Sequence, residues 1–78
     1  MAFVQEDKER MTVRKVCILL ADERKRRGIS QQRLSEMAGL SRTGVRHVES
    51  LETNPTLSSL LKIANALELD LAAMISES

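Results

Sequence analysis

Residues Ser30–Ser50 read SQQRLSEMAGLSRTGVRHVES, and the reading of this run decides the fold. It divides into two short helical segments at Gly39, a residue free to take the positive φ that ends a helix in a sharp turn. Ser30 and Ser41 each stand where a hydroxyl can accept an orphan backbone N–H, so each predicts a helix start. The apolar residues Leu34, Ala38, Leu40, Val45 and Val48 share one side only if the two helices cross steeply. Ser35 is small enough to let the helix backbones approach.

Working outward, Gly28 predicts the end of a first helix, and the block Arg24–Arg27 fills its last turn. Val13, Val16, Cys17 and Leu20 repeat at helical spacing, and Thr12 is a candidate N-cap for that helix. Residues 1–11 have no clear period. They read as an N-terminal arm or a short extension of the helix, with Phe3 and Val4 available to a partner. Downstream, residues 51–55 predict a loop. Pro55 and Thr56 open a fourth helix with Leu57, Leu60, Leu61, Ala64 and Leu67 as its buried stripe. Glu68–Leu69 interrupts it, and Asp70 caps a last short helix reaching about Ser76. No strand signal is present. The expectation is an all-α domain over residues 12–76 with five compact helices.

A chain of 78 residues with one aromatic, Phe3, must build a small aliphatic core. At this size only about 60% of the unfolded surface is buried, so a second subunit is a plausible source of extra burial. The single cysteine, Cys17, excludes an internal disulfide and points to a reducing, cytoplasmic setting. Its apolar surroundings predict a buried, inert thiol. No apolar run is long enough to span a membrane. The net charge of +1 conceals an asymmetry. Residues 1–47 hold eleven Lys/Arg against six Asp/Glu, whereas residues 48–78 hold one against five. A basic half joined to an acidic half suits a molecule that meets phosphates on one face.

Two crossing helices joined by a short glycine-containing turn form a device for reading duplex DNA. The run Arg24–Leu34, then Ala38–Arg42, Glu49, Asn54–Thr56 and Leu60–Leu67 resembles the lambda repressor/Cro-like helix–turn–helix family, over roughly residues 12–75. The resemblance implies a sequence-specific regulator of transcription. It further implies an ion pair between Arg24 and Glu49, and a phosphate-binding, buttressing role for Gln31. Two positions depart from the family pattern: Leu51 stands where a glycine usually turns the chain, and Glu23 where the residue is often apolar.

With Val45 and Val48 toward the core, the third helix turns Arg42, Thr43, Arg46, His47 and Ser50 outward. Arg42 and Arg46 can each bond guanine O6 and N7 together. Thr43 and His47 can meet base edges or phosphate. These four are the candidate base contacts, against the alternative of a solvated helix face. Gln31, Gln32, Arg33, Ser41, Ser50, Arg26 and Arg27 are the candidate phosphate contacts, and Thr53, Asn54 and Thr56 are weaker ones in the loop. Gly44 disfavours the helix by about 1 kcal/mol relative to alanine, either to allow close approach to DNA or as tolerated drift.

One such module reads few base pairs, so a homodimer on a near-palindrome is expected. Leu69, Leu71, Met74 and Ile75 are its candidate interface. Core packing is the alternative for Leu69 and Leu71. The leading reading is a controller protein of a restriction–modification system or a small phage-type repressor. The alternative is an antitoxin that binds a toxin protein and represses its own operon. An enzyme is not expected: Cys17 and His47 have no metal-ligand spacing, and no catalytic set converges. No cofactor is implied. Without an aromatic platform, single-stranded RNA is a poor ligand.

Overall fold

The computed structural model describes the backbone of residues 2–52 and 54–77, and the side chains of this range from Lys8 onward. Phe3, Val4 and Thr53 therefore lie outside the described side chains. Five helices follow one another: α1 (Ala2–Arg26), α2 (Gln31–Ala38), α3 (Arg42–Ser50), α4 (Leu57–Ala66) and α5 (Leu71–Ser76). Among the described residues there is no strand, and no helix is long and apolar enough to cross a membrane.

Four of the helix starts follow from their caps. The hydroxyls of Ser30, Ser41 and Thr56 accept from the N–H groups of Arg33, Gly44 and Ser59 at 3.0, 3.0 and 3.1 Å. The Asp70 carboxylate accepts from the Ala73 N–H at 3.3 Å. Thr12 is not a cap. It lies inside α1, and its hydroxyl donates to the Lys8 carbonyl one turn back at 3.0 Å. A threonine can bond backward within a helix as readily as cap one, and here the helix already exists upstream. Of the two readings of residues 1–11, the backbone takes the helical one from Ala2.

The helix ends also have local causes. Beyond α1, the N–H of Gly28 donates to the Lys25 carbonyl at 3.0 Å, and that of Ile29 to the Arg24 carbonyl at 3.1 Å. This is a Schellman ending, with Gly28 at φ +69°. The same pair of bonds closes α4, from Glu68 to Asn65 and from Leu69 to Ala64. Glu68 there holds φ +59° without being glycine. Leu51 likewise takes φ +63°. The chain turns after α3 where the family glycine would stand, although a left-handed non-glycine residue costs about 1–2 kcal/mol.

The core gathers Val16, Cys17 and Leu20 from α1, Leu34 from α2, Val45 and Val48 from α3, Leu60, Ile63, Ala64 and Leu67 from α4, and Leu71 from α5. Each large aliphatic side chain fully removed from water contributes about 1.5–3 kcal/mol, and all five helices contribute. The α4 stripe differs from the sequence expectation. Leu57 and Leu61 are exposed, and Ile63 is buried in their stead. Both sets fit helical spacing, and packing against α2, α3 and α1 selects the face through Leu60, Ile63 and Leu67. Burial pushes the Cys17 thiol above its ordinary value, which keeps it protonated and unreactive.

Candidate nucleic-acid interface

The candidate reading helix, α3, is fixed by its apolar seam: Val45 and Val48 are fully buried. The opposite side presents Arg42, Thr43, Arg46, His47 and Ser50, all exposed. The residues proposed from sequence for base contact thus share one open face. Ser41 is occupied as the α3 cap. The Ser50 hydroxyl donates to the His47 carbonyl at 3.1 Å. A methyl group added at Gly44 would meet the Ser41 Oγ at 3.4 Å and the Leu40 Cβ at 3.7 Å, ordinary contacts. The protein's own packing therefore does not require glycine at that position.

Beneath this face is a bracket centred on one carboxylate. Arg24 Nε donates to Glu49 Oε2 at 2.7 Å, and Arg24 Nη2 donates to Oε1 at 3.0 Å. The third nitrogen, Nη1, donates to the Ile29 carbonyl at 2.7 Å. Gln31 Nε2 donates to Glu49 Oε1 at 2.9 Å. The α3 carboxylate is so bound to both α1 and the first residue of α2. The Arg24 and Glu49 side chains are only 11% and 9% exposed, so the pair is largely shielded from water. In such surroundings a two-point guanidinium–carboxylate pair fixes geometry as well as charge.

The other candidate phosphate residues have varied surroundings. Gln31 is half-buried by its bond to Glu49, leaving one amide hydrogen beyond that contact. Gln32 and Arg33 are exposed on the first turn of α2, with Arg33 loosely paired to Glu36 at 3.5 Å. Arg26 and Arg27 are not free cations. Both bind Glu23, through Arg26 Nη2 at 2.6 Å and Arg27 Nε at 2.7 Å. The hydrogen bond from Arg26, then that from Arg27, holds the Glu23 carboxyl down at about 2. The unexpected glutamate of α1 is thus the partner of two of the four cations that follow it.

From the sequence, Lys25 counted only as one of the four cations Arg24–Arg27, any of which could meet phosphate. A cleft of about 320 Å³ is lined by Ala21, Arg24, Lys25, Gln31, Arg46, Glu49 and Ser50. It brings an exposed lysine to the flank of the reading helix, while Arg26 and Arg27 do not line it. The signal was available: at 100° per residue Lys25 follows Ala21 on the α1 face turned toward α3.

The candidate dimer residues separate. Leu71 is 4% exposed and belongs to the core, so it is not available to a partner. Leu69 and Met74 pack, partly buried, against that core. Ile75 remains 43% exposed. One short helix closing a small core must turn its first apolar residue inward, and this accounts for Leu71.

A helix–turn–helix family model matches residues 20–74 of the chain. An immunity repressor protein of Bacillus phage phi105 is 39% identical over 54 residues, 69% of this chain and 38% of that protein. The chain therefore spans well under half the length of this relative. No solved structure matches at a significant level. With five helices, serine N-caps on both α2 and α3 and a family match across more than half its length, the chain belongs to the lambda repressor-like helix–turn–helix family.

Proposed function

We propose that this chain is a sequence-specific, duplex-DNA-binding regulator of transcription, a phage-type repressor that acts by occupying its operator. The observation that carries the reading is the pairing of an open polar face, Arg42, Thr43, Arg46 and His47, with a buried bracket that fixes its orientation. A helix held this way can enter a major groove with its first turn against base edges. Arg42 and Arg46 are the guanine readers, and Thr43 and His47 add contacts beside them. Lys25, Gln31, Gln32, Arg33 and Ser50 border that face and suit phosphates, with the free N–H groups at the start of α2 supporting them. The likeness to a phage immunity repressor supports repression.

A two-fold dimer, with Ile75 on the exposed side of α5, would set two half-sites about one helical turn apart. Selection of bound sites from random duplex DNA tests the whole reading, since it returns the half-site, its spacing and the symmetry together. Enrichment of no sequence would overturn it. At residue level, Arg42→Ala weakens binding to the selected site by about 1–3 kcal/mol and relaxes one base position. An equal loss on every sequence would reassign Arg42 to the backbone.

A further inference from the structure

The first helix has a basic edge of which only Lys25 enters the proposed reading. At 25 residues, α1 is about 37 Å long, close to the 41 Å longest dimension of the molecule. The family match covers residues 20–74, so the upstream part of α1 lies outside the matched residues. Arg10, Arg14, Ala21 and Lys25 fall within about 60° of one another around the helix at 100° per residue. Two clefts open along this edge. One is the Lys25–Arg46–Ser50 cleft beside the reading helix. The other, further up α1, is lined by Arg10, Val13, Arg14, Cys17, Leu51, Glu52 and Asn54. Arg10 and Asn54 line a third opening with Glu9 and Pro55.

We propose that Arg10 and Arg14, with Asn54 beside them, form a second contact to the phosphate backbone of duplex DNA, beyond the C-terminal end of the reading helix. The proposal rests on the duplex-DNA reading given above. Both arginines are exposed, and neither has an ion pair among the described residues. Arg26 and Arg27 show the contrast, because Glu23 holds both. Two arginines four residues apart repel each other on a helix and disfavour it, and the described residues supply no carboxylate partner to offset that. A polyanion outside the protein does. Arg10 and Lys25 are about 22 Å apart along the axis, and at about 3.4 Å per base step this spans some six steps of one strand. The carboxylates facing the same openings are Glu9 and Glu52, both exposed. Of these, Glu52 shares an opening with both arginines and opposes the contact.

The experiment follows binding to a random-sequence duplex DNA pool as salt is varied. Each phosphate contact contributes about 0.9 to the slope of log affinity against log salt. Arg10→Gln with Arg14→Gln is expected to make that slope shallower by about 1.8, equally on every sequence, with base preference unchanged. Arg10→Lys with Arg14→Lys keeps the slope, which separates charge from any effect on the fold, and circular dichroism confirms that α1 persists. Glu52→Gln tightens binding on all sequences. An unchanged slope in the double Gln variant, while the unaltered chain binds duplex DNA, overturns this contact alone. Failure of the unaltered chain to bind any duplex overturns both this contact and the reading beneath it.

Discussion

Arg24 and Arg26 are two residues apart in the same run of four cations, and each binds a glutamate, yet the two pairs do different work. Arg24 reaches across 25 residues to Glu49 and is shielded from water. Arg26 folds back three residues to Glu23 and is 70% exposed. The first pair joins helices; the second ties a helix to itself. In water a local pair has high dielectric around it and adds little to stability. A shielded pair has high desolvation costs and strict geometry, so its value lies in fixing one arrangement, and breaking it leaves an uncompensated charge. Charge count alone cannot separate these cases; the distance crossed and the water excluded can.

The largest test of that difference is Glu49→Ala. It strands the Arg24 guanidinium and should lower stability by about 3–5 kcal/mol in urea unfolding. A loss of about 1 kcal/mol or less, the worth of an exposed pair, would erase the distinction. Next is Gln31→Ala, which removes one donor to the same carboxylate. A bond to a charged group supports a loss of about 2 kcal/mol, with weaker DNA binding on every sequence because α2 and α3 lose their common anchor. The smallest stability effect belongs to Glu23→Gln, a modest loss at neutral pH because its two pairs are local and open to water. It frees Arg26 and Arg27, so binding to duplex DNA should tighten and depend more steeply on salt.

The acid titration of Glu23 sharpens the same contrast. Its carboxyl is held at about 2 in the folded chain, against an ordinary value of 4.5. A carboxyl depressed on folding contributes stability above its unfolded value, and that contribution fades as pH falls from about 4.5 toward 2. NMR titration should find Glu23 below the ordinary carboxylate range in the parent chain and shifted upward in Arg26→Gln. A Glu23 that titrates normally in the parent would remove the local pairs from the account.

Much of the fold was legible because polar residues announce helix starts. Ser30, Ser41, Thr56 and Asp70 each cap the helix expected of them. Thr12 misled for the same reason: a hydroxyl that can cap can also bond backward, and only the upstream chain decides. In α4 the pattern offered two overlapping stripes, and tertiary packing chose Ile63 over Leu57 and Leu61. At the interface, Val45 and Val48 sufficed to name the open face of α3. What sequence could not supply was the fate of the cations after Asp22. Glu23 looked like a flaw in an apolar stripe and proved to be the partner of Arg26 and Arg27, whereas the pattern did not single out Lys25 as the cation beside α3.

The Glu49 carboxylate receives donors from two other helices while standing on the helix that faces outward. α3 is therefore held at one angle by contacts within the protein itself. A surface prepared in advance surrenders little freedom when it docks, so more of the contact energy survives as affinity. On the proposed reading, the molecule would meet duplex DNA as a cut key meets a lock, and discrimination would fall to the few side chains along the α3 edge.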